Sequence, residues 1–306
     1  MNLFHKKDQY QGYNIYSMKK YVDKKRIIIT TIIVFLIIIT LGFIIYYSVD
    51  TTIRLKNAKR FEQKLIEYES KQEELQKQER ERQAKIPKLT DEGKQNIKGI
   101  YKSETKRVFL TFDDGPSVNT ADVLDILKSN DIKATFFVLG TQVEKMPEMV
   151  KRAYQEGHYI ANHGYSHQYS QIYSSPETVL QEFNQCNSAV AKAIDVPEYN
   201  SHLFRFPGGS VGGKYANLKA EAVTLLEQNN IMHVDWNALT GDAEKSSPDE
   251  EYLMNNLQKT TQNKNSIVIL MHDAQAKRVT VEFLPKLIEF FQQQGYQFEN
   301  FYSIIK

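Results

Sequence analysis

Ile27 to Tyr47 reads IIITTIIVFLIIITLGFIIYY and carries no charge. A bilayer needs about twenty apolar residues to be crossed, and this run supplies them. In hydrocarbon such a segment must satisfy every backbone N–H and C=O within itself, which makes it a helix. A signal peptide has a shorter apolar region and a small-residue cleavage site, whereas here Tyr46-Tyr47-Ser48-Val49-Asp50 follows. A buried core helix is the other alternative. The flanks are asymmetric, with Lys19, Lys20, Lys24, Lys25 and Arg26 all on the N-terminal side. The positive-inside rule then predicts a cytoplasmic tail over 1–26, an uncleaved single-pass anchor over 27–47 in the cell membrane, and the rest of the chain outside the cytoplasm.

Beyond the anchor, residues 48–86 are dense in Lys, Arg, Glu and Gln, and Thr51 to Lys85 contains neither Pro nor Gly. Ala58, Phe61, Leu65, Tyr68 and Leu75 follow a 3-4 spacing interrupted by Gln72. A helical stalk is predicted, either a single solvated helix or a weakly self-associating coiled coil. Pro87 ends it, and residues 87–105 read as a linker. That leaves 106–306 as one domain, of ordinary size for a single core. The net charge of +2 lacks the basic excess of a nucleic-acid binder, so no nucleic-acid partner is expected. The single cysteine, Cys186, excludes an internal disulfide. It falls at helical spacing with Val179, Phe183 and Val190, as a core thiol would.

From Lys106 onward two kinds of segment alternate. Val108–Phe112, Ala134–Leu139, Tyr159–Asn162, Leu203–Phe206, Met232–Trp236 and Ser266–Met271 are short and apolar. Between them lie helical patterns, among them Pro147–Glu156, Pro176–Ile194, Lys214–Asn229 and Val279–Gln294. This alternation predicts an α/β fold with a parallel sheet or barrel. The polar residues of interest follow or end the strands: Asp113 and Asp114, His163, Arg205 and His272. In α/β barrels that end carries the chemistry.

Thr111-Phe-Asp-Asp-Gly-Pro-Ser117 sets two carboxylates side by side before a forced turn. Alone, it reads equally well as an Asx-turn capping the next helix. His163-Gly-Tyr-Ser-His167 is an i, i+4 pair whose rings would face one way on a helical turn. Two imidazoles and one carboxylate leave a coordination position open, where a metal ion brings the pKa of bound water towards neutrality. The donor set suits zinc, with cobalt, nickel and iron as alternatives.

The order TFDDGPS, HGYSH, RFPGG, WNALTGD and LMHD resembles the NodB-homology polysaccharide deacetylases, carbohydrate esterase family 4, and in particular membrane-anchored peptidoglycan N-acetylglucosamine deacetylases. The likeness runs from about Arg107 to about Tyr302. It implies a distorted, incomplete (β/α) barrel behind the transmembrane helix and charged stalk. It implies one divalent metal ion held by Asp114, His163 and His167. It further implies Asp113 as general base, Arg205 holding it ionised, His272 as general acid and Asp242 orienting that acid. Leu270 and Trp236 would form the slot for the acetyl methyl, and the Gly208 N–H would help stabilise the oxyanion. The chain departs from the family pattern at Gly164 and Gln168, at Phe206-Pro207-Gly208-Gly209, where Arg205 is usually followed by Pro-Pro-Tyr, and at Leu239 and Ala243. The last two place the substrate groove in question more than the reaction.

The expected function is therefore metal-dependent removal of N-acetyl groups from an acetylated polysaccharide, peptidoglycan N-acetylglucosamine first. An O-acetyl polysaccharide esterase uses the same machinery. A carbohydrate-binding or adhesion module on a deacetylase fold is the rival from another class.

Overall fold

The computed structural model describes residues 15–305. The first part of the expected tail, 1–14, and the Lys19 side chain lie outside the described residues. The chain divides into two units, Met1–Gln78 and Glu79–Lys306.

The first unit is helical. Helix α1, Ile15–Ala84, contains the whole apolar run and continues through the predicted stalk without a break. It is long and apolar enough to cross a membrane. Among the described residues, the apolar run has no protein cover: Ile28, Leu36 and Phe43 are 55–60% exposed.

The second unit opens with a departure from expectation. The segment predicted as a linker carries helix α2, Asp91–Lys98, capped by Thr90, whose side chain accepts the Gly93 N–H. Ile97 and Ile100 are buried, and so is Ile86. A polar stretch with isolated isoleucines gave no periodicity to read, yet each isoleucine finds a place in the core.

Alternation follows. Strand β1 (Arg107–Asp113) leads to α3 (Val118–Ser129), β2 (Thr135–Val138), α4 (Gly140–Lys145), α5 (Pro147–Gln155) and β3 (Tyr159–Asn162). Then come α6 (Tyr169–Ile172), α7 (Pro176–Ile194), β4 (Leu203–Phe204), α8 (Ala216–Gln228), β5 (Met232–His233) and β6 (Ala238–Leu239). Helix α9 (Glu250–Thr261), β7 (Ser266–His272), α10 (Arg278–Gln293) and β8 (Gln297–Glu299) complete the chain. The strands are parallel in the order β5-β4-β3-β2-β1-β7-β6, and β8 lies beside the first half of β1. The sheet curls into a half-barrel with β5 and β6 as its ends. This is the expected α/β architecture.

Two-residue periodicity sorts the side chains. On β1, Val108, Leu110 and Phe112 face the helices, as do Ile267, Ile269 and Met271 on β7. Phe109 and Val268 face the other way, into a second cluster with Phe137, Tyr159, Leu203, Ile97 and Ile100. Phe301 fills the middle of that cluster, its ring centroid 5.3 Å from Phe109, 6.1 Å from Tyr159 and 6.3 Å from Phe137. The barrel interior is thus packed at its N-terminal end by α2 and the C-terminal turn. Continuing the alternation, Thr111, Asp113, Leu270 and His272 occupy the same face as Phe109 and Val268. Register does the rest, since Asp113 pairs directly with His272 across β1 and β7.

If α2 belongs to the core, Ile100→Ala leaves a cavity under the barrel and costs about 2–5 kcal/mol. Thermal unfolding of the full chain should then drop by on the order of 10 °C. An unchanged midpoint would restore the linker reading.

Candidate active site

Asp113 and Asp114 end β1, and their side chains part. Asp113 is buried and accepts a hydrogen bond from Arg205 Nη1 at 2.9 Å. Asp114 has φ 71°, a left-handed backbone that a non-glycine residue adopts only under local constraint. Its carboxylate turns towards the histidines, with Oδ1 3.5 Å from His163 Nε2 and 3.4 Å from His167 Nε2. Neither aspartate caps α3. That work falls to Ser117, in a capping box with Thr120.

The histidines converge differently from the helical turn expected of them. Residues 163–168 form a loop, and His167 has φ 58°. The loop is shaped by Glu182, a buried carboxylate on α7 that accepts the N–H groups of Tyr165 and Ser166 and the Ser166 hydroxyl at 2.6–2.7 Å. Nothing in the local sequence spacing points to it, since it lies far along the chain.

The fit to a metal ion follows from proton accounting. His163 Nδ1–H donates to the Arg205 carbonyl at 2.8 Å. A carbonyl can only accept, so this bond fixes the tautomer and leaves the Nε2 lone pair facing Asp114. Burial drives the His163 ring down to about 3, against the pull of Asp114, so it is neutral. Asp114 Oδ1 is buried and has no hydrogen-bond partner among the described residues. Acceptor thus faces acceptor, an arrangement that is costly in a low-dielectric site and that a cation resolves. The donor atoms of Asp114, His163 and His167 lie within 4.8 Å of one another. The residues fit a divalent ion by donor type and spacing.

The opposite wall is built on β7. His272 Nδ1–H donates to Asp242 Oδ1 at 3.0 Å, while Asp242 Oδ2 accepts the His272 N–H at 2.7 Å and the Thr280 hydroxyl at 2.7 Å. Burial alone would pull the His272 ring down, but the bond to Asp242 and the charges of Asp242, Asp113 and Asp114 hold it up at about 9. Burial pushes the Asp242 carboxyl up, yet its bonds to His272 and Thr280 keep it below the usual range. For Asp113 burial wins: its carboxyl lies above the usual range despite Arg205 and His272.

A cleft of about 340 Å³ joins these groups, with Gly208, Trp236 and Leu270 in its lining. Arg205 lies behind Asp113, fully buried. Gly208 has φ 75°, and its loop is pinned by the buried Lys219, whose Nζ–H donates to the Gly209 carbonyl at 2.7 Å. Leu239 and Ala243 also line the cleft.

Two residues of the site had no part in the expected mechanism, although Asp273 closes the LMHD motif. Tyr169 on α6 packs edge-on to the His167 ring. Its hydroxyl lies 2.6 Å from where a Gly208 Cβ would stand, so it fills the space that a larger residue at Gly208 would take. Asp273 is buried, and its Oδ2 accepts the Thr120 hydroxyl while its carbonyl accepts that of Ser117, both at 2.5 Å. It clamps the turn after Asp114 to β7. A Cβ on Gly115 would come within 2.3 Å of both Asp273 carboxylate oxygens, so glycine is required there by contact.

Residues 101–225 match the family model described as Polysaccharide deacetylase. The chain is 36% identical to Bacillus subtilis YheN over 198 residues, which are 63% of this chain and 66% of that protein. It is 33% identical to a Bacillus cereus peptidoglycan-N-acetylglucosamine deacetylase, over 65% of this chain and 71% of the relative. It thus spans about two thirds of these curated relatives. Among solved structures, a Streptococcus mutans CE4 esterase superposes with a TM-score of 0.62 at 30% identity, covering 68% of this chain and 90% of that one.

Two outcomes follow. Asp242→Asn removes what holds the His272 ring up, so its pKa should fall from about 9 to below the ordinary histidine value of about 6.5, read by NMR titration of the imidazole. The sign is that of a raised group: in the native chain the pair's stabilisation is complete below about pH 6.5 and is lost as pH rises through about 9. Separately, Gly115→Ala should cost roughly 1–3 kcal/mol through overpacking and weaken zinc binding measured calorimetrically. Wild-type affinity in that variant would show that Asp273 yields and does not clamp.

Proposed function

Since this chain belongs to the polysaccharide deacetylase family, we propose that it hydrolyses N-acetyl groups of a cell-wall polysaccharide, peptidoglycan N-acetylglucosamine in the first place. The observation that carries the reading is the pairing of a cluster of metal-ligand donors, Asp114 with His163 and His167, with the Asp242-bound His272 across one cleft. Amide hydrolysis needs these two functions together: an electrophilic centre for the carbonyl and an acid for a poor leaving group.

The residues divide the work as follows. Asp114, His163 and His167 would hold a divalent ion, zinc first by donor type. When bound, the ion polarises the amide carbonyl and makes nearby water more acidic. Asp113 removes a proton from the attacking water, held in place by Arg205. The Gly208 N–H faces the carbonyl oxygen as negative charge develops on it. Leu270 and Trp236 receive the acetyl methyl, and Tyr169 bounds the cleft on the side of His167. His272 delivers a proton to the departing nitrogen, and Asp242 keeps its ring oriented for that delivery. The C–N bond breaks, releasing acetate and a free amine on the polymer.

The unbroken apolar run of α1 supports an anchor in the cell membrane, with the N-terminus cytoplasmic and the catalytic unit outside. The relatives' wall polymer is within reach of such an enzyme.

Asp113→Asn should reduce acetate release from N-acetylglucosamine oligomers by about 10²–10⁴-fold while zinc content by elemental analysis stays the same. Retained turnover would remove Asp113 from its role. Release from O-acetylated sugars alone would make the chain an esterase, and zinc binding with no release from any acetylated glycan would favour the binding-module alternative.

A further inference from the structure

Among the described residues, the stalk face of α1 has no partner within the chain. Phe61 is 70% exposed, Tyr68 61%, Leu75 48% and Leu65 46%. The helix is continuous through this region, so spacing in sequence is spacing on one surface. Ala58, Leu65 and Gln72 take the a positions of a heptad, and Phe61, Tyr68 and Leu75 the d positions. No other register reproduces the 3-4 alternation.

The flanks of this stripe carry a second, independent pattern. The e positions are Glu62, Glu69 and Gln76, and the g positions are Lys64, Lys71 and Gln78. Acid stands on one edge and base on the other. In a parallel pair, g of one helix meets e of the next heptad on its partner, so Lys64 faces Glu69 of a second copy, twice by symmetry. In an antiparallel pair, g meets g and e meets e, which sets lysine against lysine and glutamate against glutamate. Among the described residues, Glu62, Lys64, Glu69 and Lys71 have no ion-pair partner inside the chain.

We propose that residues 58–78 pair in parallel and in register with the same segment of a second copy of this chain. The attraction comes from Phe61, Leu65, Tyr68 and Leu75 meeting their equivalents. The flanking charges select the parallel direction, and Gln72 at an a position fixes register at some cost in stability. Three heptads of seam are short for a pair of free helices in water. Two chains tethered in one bilayer by residues 27–47 already share orientation and a raised effective concentration, which compensates for that shortness. Pairing of the stalks rests on the anchoring proposed for residues 27–47 and is independent of the catalytic cleft.

The test is disulfide trapping in the full chain reconstituted into lipid vesicles. The native Cys186 is buried and leaves the background low. Leu65→Cys, on the seam, should form a covalent dimer under mild oxidation, whereas Ser70→Cys, on the far face, should give about fivefold less. Adding Lys64→Glu to Leu65→Cys sets glutamate against Glu69 and should lower the trapped fraction about five- to tenfold. A further Glu69→Lys re-forms the pair with its sign reversed and should restore trapping. These exposed substitutions leave the helix itself intact. Equal trapping at positions 65 and 70, no trapping at 65, or a loss at Lys64→Glu that Glu69→Lys fails to restore would each overturn the proposal.

Discussion

Burying a guanidinium completely costs several kcal/mol unless its donors are met and its charge is opposed, and Arg205 is buried without solvent contact. Its Nη1 donates to Thr111 Oγ1 at 2.7 Å and to Asp113 at 2.9 Å, Nε to the Val234 carbonyl at 3.2 Å, and Nη2 to the Asp235 carbonyl at 3.1 Å. The Phe137 ring lies against it, 3.9 Å from centroid to guanidinium carbon. One side chain therefore ties β1 to the residues following β4 and β5, across the interior of a sheet that its strand pairing leaves open. Its own carbonyl accepts from His163, so the same residue fixes Asp113 and a candidate metal ligand. A single neutral substitute would leave a buried carboxylate, unmet carbonyls and a loosened sheet end together.

Much of this was readable in the sequence because it follows from short-range rules. Alternating apolar strands and amphipathic helices predicted the parallel α/β sheet, and the placement of Asp113, His163, Arg205 and His272 at strand ends followed from the same reading. What stayed hidden depends on contacts distant along the chain. Helix α2 was read as a linker because two isoleucines have no period, although Ile97 and Ile100 meet a surface that exists only once the barrel has curled. The His163–His167 loop was expected as a helical turn, since nothing local announces that Glu182 would draw its amides outward. Asp273 and Tyr169 are found only by seeing what lies beside Gly115 and Gly208.

The site also shows how neighbouring carboxylates acquire different duties. Asp113 and Asp114 are adjacent in sequence, yet one meets an arginine and the other two imidazoles. The separation arises from the backbone, because Asp114 leaves the extended conformation of β1 for φ 71°. That turn is maintained from outside by the Asp273 clamp, so a conformation uncomfortable for aspartate is sustained by hydrogen bonds that aspartate does not make.

The alternation along β1 has an evolutionary reading in terms of parity. Phe109, Thr111 and Asp113 share one face and Val108, Leu110 and Phe112 the other, so odd and even positions belong to different solvents. Losing or gaining one residue between Arg107 and Asp113 would exchange the two sets, sending Phe112 into the cleft and the carboxylate into oil. A change of two residues would preserve the assignment. The strand therefore works as an error-detecting frame, one that tolerates drift in side-chain size while rejecting any odd change in length.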